Sequence, residues 1–133
     1  MQGALQELFG EVIHTYTRAQ AIEDGVLVDV SEMAREAGFK FPVAVTSAVW
    51  HEYIVPDKRA RSWGQSEEGR LWDVLVVLSY YARQSRGREI RFKVIMVMMA
   101  LNEKERQEIE LKAICGPGDD FESVITIMKP EED

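Results

Sequence analysis

Residues 16–46 read YTRAQAIEDGVLVDVSEMAREAGFKFPVAVT, and this stretch decides the fold class because its local chemistry marks its own boundaries. Thr17 followed by Gln20 fits a capping box, in which each side chain satisfies a backbone N–H left unpaired at a helix start. Gly25 is suited to the left-handed residue that ends such a helix. Val26 to Val30 then reads as a short buried strand, β-branched and bounded by turn residues, with Asp29 interrupting it. Ser31 reads as the cap of a second helix, with Glu32 favourably placed against the macrodipole and Gly38 as its stop. Phe39 and Phe41 alternate around Lys40, and Pro42 holds Phe41 extended, so Val43 to Val45 continues as extended chain.

Upstream, Leu5, Leu8, Phe9, Val12 and Ile13 recur at helical spacing. They predict a short helix to about Phe9, broken near Gly10, and extended chain into Tyr16. Downstream, Thr46 caps a helix carrying Val49, Trp50, Tyr53 and Ile54, which Pro56 prevents from continuing. Residues 56–66, PDKRARSWGQS, read as an exposed loop. Ser66, with Glu67 and Glu68 behind it, starts the longest helix, which runs to about Gln84. Leu71, Trp72, Val74, Leu75, Val76, Val77 and Leu78 cover most of its circumference, and a helix apolar nearly all round is expected to be buried on more than one side.

From Glu89 the apolar period changes from helical to two. Glu89–Leu101, Gln107–Cys115 and Phe121–Lys129 read as three strands, joined by loops at Asn102–Arg106 and Gly116–Asp120. Ile109, Leu111, Ala113 and Cys115 share one face of the second strand, opposite Glu108, Glu110 and Lys112, so one face of the sheet is expected to be wet. The fold expected is α+β: short N-terminal helices around a short strand, one long central helix and a C-terminal three-stranded antiparallel meander. It forms a single domain over residues 1–133, with 130–133 a frayed acidic tail.

A chain of 133 residues is one domain by size and buries an adequate core without metals or disulfides. The single cysteine, Cys115, suits a reducing compartment. No basic region precedes an apolar run at the N-terminus, and the longest apolar runs fall short of the ~18 residues of a membrane span. A cytoplasmic protein without membrane contact is expected. The net charge of −7 is unevenly spread: residues 1–57 carry −6, 58–93 carry +5 and 94–133 carry −6. A negative field weakens non-specific attraction to nucleic acid, while the basic middle leaves room for a local anion or acidic-partner site.

Three blocks taken together carry a resemblance: residues 16–30 with 38–46, then EGRLWDVL at 68–75, then LKAICGPGDD at 111–120 with VITIM at 124–128. They resemble a family of small uncharacterised bacterial proteins, classed as a domain of unknown function and often encoded on plasmids, prophages and other mobile elements. The resemblance implies a setting, that of a bacterial accessory protein, and no activity or site residue.

No triad, metal set or phosphate loop stands out, and no cofactor is expected. His51 beside Glu52 and Trp50 is suited to acid–base work only in a pocket, with no second ligand at the spacing of a zinc helix. Asp73 is an acid within an apolar helix: Arg70, three residues earlier, predicts a structural ion pair, and the alternative is a buried carboxylate lining a pocket with Trp50 and His51. Asp119, Asp120 and Glu122 are candidate ligands for a divalent cation, against a plain hairpin turn. Arg59, Arg61 and Trp63, with Arg70, combine cations and an aromatic in the pairing that holds phosphate and stacks a base, against a solvated loop. Cys115 reads as a buried small hydrophobe before a nucleophile. The function expected is a non-enzymatic interaction module of mobile elements that binds a protein partner through acidic surfaces. The alternatives are a small hydrolase or transferase with a carboxylate-lined pocket, and a nucleic-acid-binding accessory protein using residues 58–63. A homodimer through the C-terminal sheet is a further expectation.

Overall fold

The computed structural model describes residues 16–100 and 103–133. The helix expected over residues 4–9, and His14, lie outside the described residues. In chain order the elements are α1 (Arg18–Glu23), β1 (Leu27–Asp29), α2 (Ser31–Glu36), β2 (Val43–Thr46), α3 (Ser47–Val49) running into a π-helical turn (Trp50–Ile54), α4 (Lys58–Ser62), α5 (Glu67–Ala82), β3 (Glu89–Ala100), β4 (Glu103–Pro117) and β5 (Ser123–Met128).

The fold is α+β, but the expected sheet of three antiparallel strands is five-stranded and mixed, in the order β1-β2-β5-β4-β3. β3 pairs with β4 and β4 with β5 in antiparallel register, while β2 lies parallel to β5 and carries β1 antiparallel on its far side. The parallel β2–β5 pair joins residues about eighty positions apart, a pairing that no local pattern announces. Glu103–Arg106, read from sequence as loop, belongs to β4. β1 is a half-exposed edge strand, not a buried one.

The core lies on one sheet face. Val43, Val45, Ile127, Leu111, Phe92 and Val94 are each buried there under Leu71, Val74, Leu75 and Leu78 of α5. α1 covers part of the opposite face, where Thr126 points. On that second face Lys112 is almost wholly buried beside its register partner Met128, although the pattern predicted a wet position; a lysine stem covers apolar surface while its ammonium reaches water.

The capping box forms as the sequence predicts: Gln20 N donates to Thr17 Oγ1 (3.0 Å) and Thr17 N to Gln20 Oε1 (2.9 Å). Gly25 and Gly38 take φ of 80° and 101°, a region that costs a side-chain-bearing residue energy. Thr46 and Ser66 cap as expected, accepting from Val49 N and Gly69 N. Ser31 does not cap α2. It is the first helical residue, and its hydroxyl donates to Asp29 Oδ1 (2.6 Å) while accepting from Val43 N (3.0 Å). Ser31 therefore ties α2 to β2, and Asp29 is there to hold Ser31.

Residues 56–66 are not a loop throughout. Asp57 Oδ1 accepts from Ala60 N (2.7 Å) and starts α4, whose Ala60 is buried. The turn before it is π-helical, with Val55 N donating to Trp50 O at 2.9 Å.

Candidate functional site

α5 differs most from its expectation, and the site follows from that difference. Its buried side is Leu71, Val74, Leu75 and Leu78. Trp72, Val76 and Tyr80, spaced one turn apart and hence on one face, are 39%, 41% and 63% exposed. The helix is buried on one side only, and its second apolar face meets nothing among the described residues that would close it off. A contiguous exposed apolar face on a folded domain marks a surface for binding.

That face overhangs an edge of the sheet. β3 is the last strand in the order. Between it and α5 runs an open groove of about 450 Å³, walled by Trp72, Asp73, Val76 and Val77 and floored by Lys93, Val94 and Ile95. Ile95, on the outer face of β3, is 62% exposed. Asp73 is exposed on the groove wall, not buried as the alternative expected, and partial loss of water contact pushes its carboxyl above the usual aspartate value. Arg70 does not sit over it as i,i+3 spacing suggested. Arg70 is buried to 4% exposure and turns inward, donating from Nη1 to Tyr53 O at 3.0 Å and from Nε to Gln65 Oε1. The reason is the π turn, which ends at Ile54 and leaves the Tyr53 carbonyl without a helical continuation.

A second cleft, of about 340 Å³, lies on the other face of the sheet and gathers Arg18, Asp29, Ser31, Arg35, Asp119 and Glu122. Most of its charged side chains are engaged within the fold. Asp119 accepts from the amides of Arg18 (2.8 Å) and Ala19 (3.0 Å), and those two bonds hold its carboxyl below the usual value. The Arg18 guanidinium donates to Thr126 Oγ1 (2.7 Å) and Ile125 O (2.9 Å); loss of water lowers its pKa, against the charges of Asp29, Asp119 and Glu122. Glu122 Oε1 accepts from Asp120 N at 3.0 Å. The cation candidates Asp119 and Glu122 thus serve as internal acceptors, and Asp120 is exposed. Among the described residues no group of three or more His, Cys, Asp or Glu side chains is placed to hold a metal ion.

The remaining candidates are dispersed. His51 is exposed on the π turn, whose Glu52 instead pairs with Lys129 at 2.7 Å, a bond that lowers the Glu52 pKa and raises that of Lys129. The groove at Asp73 is lined by neither Trp50 nor His51, and Asp73 and Asp119 line different clefts. Arg61 contacts Glu67 at 3.2 Å, while Trp63 ends α4 at 54% exposure. Cys115 is half-buried in an apolar crevice with Phe39, Leu78 and Ile90. One position was not foreseen: Phe121, at the tip of the β4–β5 turn, combines φ of 64° with 89% exposure.

A family model matches residues 6–133, nearly the whole chain. The chain belongs to the family of unknown function DUF6573. No curated protein and no solved structure matches it. The blocks that carried the resemblance are the ones the fold joins: residues 16–30 and 111–128 meet where Arg18 bonds Thr126 and Asp119 bonds α1. Those two blocks serve the architecture, while the third, residues 68–75, lies on α5 and carries Trp72 and Asp73 of the groove wall. Among the described residues no helix is long and apolar enough to cross a membrane.

Proposed function

We propose that this domain is a non-enzymatic interaction module of bacterial mobile elements, and that it holds a protein partner in the groove between α5 and β3. The observation that carries the reading is the exposed Trp72–Val76–Tyr80 face beside an edge strand. A domain that buries Leu71, Val74, Leu75 and Leu78 fully has no folding use for a second apolar stripe on the same helix. The net charge of −7 adds long-range attraction for a cationic partner, while the groove itself is mainly apolar, with Asp73 on its wall and Lys93 on its floor. The mobile-element setting rests on the sequence resemblance alone. It is tested by whether genes for this chain lie among plasmid or prophage genes.

The enzymatic alternative has less support, because Asp73, His51 and Asp119 do not converge in either cleft. Binding of nucleic acid through residues 58–63, with Arg59, Arg61 and Trp63, is set against that same net charge, and Arg61 already contacts Glu67.

The test places a photo-crosslinking residue at position 76 and, as control, at exposed position 36 of α2, and irradiates each in a bacterial lysate at low salt. Discrete adducts from position 76 alone, lost when Trp72 is changed to Lys, support the reading. Equal labelling from both positions, or none, overturns it.

A further inference from the structure

We infer that Phe121 is a fixed aromatic anchor that inserts into an apolar pocket of a different protein, with a lysine or arginine on the pocket rim facing Asp120. This surface is separate from the groove beside α5 and stands independently of it.

Turn chemistry supplies the first argument. Phe121 N donates to Gly118 O (3.0 Å) and Gly118 N to Glu122 O (2.6 Å), which makes residues 119–121 a three-residue hairpin loop between β4 and β5. The third position of such a loop is left-handed and ordinarily glycine. Here it is Phe121, the only residue other than glycine with positive φ (64°) among those described. Its ring is 89% exposed, more than any other large apolar side chain among them. One position thus combines a strained backbone with a hydrophobic ring in water, and glycine would relieve both. Strain kept against the preference of the fold points to function.

The tip is also held in place. Asp119 accepts from the amides of Arg18 and Ala19 and so fastens the loop to α1. Glu122 Oε1 accepts from Asp120 N, and its carboxylate lies 2.6 Å from where a Cβ on residue 118 would stand, so Gly118 makes room for it. An aromatic presented on a rigid turn loses little freedom on docking, which is how one ring becomes a dominant contact.

The surroundings of the ring decide the class of partner. From Ala113 to Met128 the hairpin carries no lysine or arginine. Arg18 and Arg35 share a cleft with Asp119 and Glu122 and offset them, and Arg88 donates Nε to Cys115 O. Asp120, next to the ring, is exposed and makes no ion pair among the described residues. Insertion into lipid would draw Asp120 and Glu122 to the headgroup layer, and stacking on a base would set phosphates against them. A second copy offers the α5–β3 groove, but two copies of net charge −7 repel. A tip-to-groove contact is moreover head-to-tail and does not form a closed pair. A pocket on another protein, with a cation at its rim, suits both the ring and Asp120.

The experiment places benzoylphenylalanine, a photo-crosslinking aromatic, at position 121 of the full chain, irradiates it in a bacterial lysate and maps the adduct by mass spectrometry. The adducted protein is then purified and titrated with wild type, Phe121→Asn and Asp120→Lys. The labelled residues should line an apolar pocket rimmed by lysine or arginine. Phe121→Asn should bind about tenfold more weakly or worse while unfolding in urea no earlier than wild type, and Asp120→Lys should weaken binding and flatten its salt dependence. No adduct, an adduct of the chain with itself, or a purified partner that binds Phe121→Asn as tightly as wild type overturns the anchor. Equal binding by Asp120→Lys overturns the cationic rim. Wild type that sediments with phosphatidylserine vesicles, where Phe121→Asn does not, overturns the choice of a protein. None of these outcomes bears on adducts from position 76.

Discussion

Leu75 and Val76 are neighbours on α5 and differ by one CH₂, yet they should respond very differently to substitution. Leu75 is fully buried against the sheet. Leu75→Ala removes its contacts and leaves a cavity, costing about 3–5 kcal/mol, a large share of the roughly 5–15 kcal/mol of a domain this size. Val76 is 41% exposed on the groove wall. Complete burial of a valine contributes at most about 2–3 kcal/mol, and a lysine stem covers much of the same surface with a few tenths of a kcal/mol better helix propensity. Val76→Lys should therefore change stability by less than about 1 kcal/mol. Urea denaturation followed by circular dichroism measures both. A Val76→Lys loss comparable to that of Leu75→Ala would show that the outer face is already packed, and would refute the assignment of that face to a partner.

Arg70→Leu should cost about 1–3 kcal/mol in the same assay by stranding the Tyr53 carbonyl; no loss would mean that the π turn does not need this donor. Phe121→Asn should stabilise by about 1 kcal/mol, since asparagine tolerates the left-handed region better than phenylalanine; destabilisation would mean that the exposed ring is packed in solution. Asp119 and Asp73 should give opposite pH signatures. The Asp119 pKa is lowered on folding, so its stabilisation is present above 3.8 and lost as pH falls through the lower folded value; Asp119→Asn should be the less stable protein at neutral pH and match wild type in strong acid. The Asp73 pKa is raised on folding, so stability falls as pH rises from 3.8 through the folded value; Asp73→Asn should be the more stable protein at neutral pH, the difference vanishing below 3.8. Denaturation midpoints against pH decide both, and matching signs would contradict the assignment.

What the sequence makes legible is what a few consecutive residues determine. The Thr17–Gln20 box, the stops at Gly25 and Gly38, and the caps at Thr46 and Ser66 each need only their own turn of chain. α4 was within reach on the same terms, because Asp57 behind Pro56 is a cap signal, but the cations that follow read as loop. Asp29 interrupts an apolar strand because it holds Ser31, which is a tether to β2 and not a cap. Long-range pairings carry no local mark. β2 beside β5, and Arg18 bonded to Thr126 across more than a hundred residues, appear only in the fold. The groove was hidden for a different reason. Periodicity shows that α5 is apolar on two faces, and it does not show that only one of them has a partner within the domain. Arg70 and Asp73 at i,i+3 spacing suggested a pair, but the long arginine turns inward to the Tyr53 carbonyl, which the end of the π turn leaves open.

The claim beneath all of this is that β3 is, among the described residues, an edge strand beside an exposed apolar face. Residue-resolved amide hydrogen exchange of the isolated protein tests it most directly. In the register set by the bond from Cys115 N to Arg88 O, Phe92 and Val94 bond to β4 and should exchange slowly. Arg91, Lys93 and Ile95, whose amides point outward, should exchange fast, giving a two-residue alternation along the strand. Uniform protection from Arg91 to Ile95 would contradict the account, because it would mean that the edge is already paired.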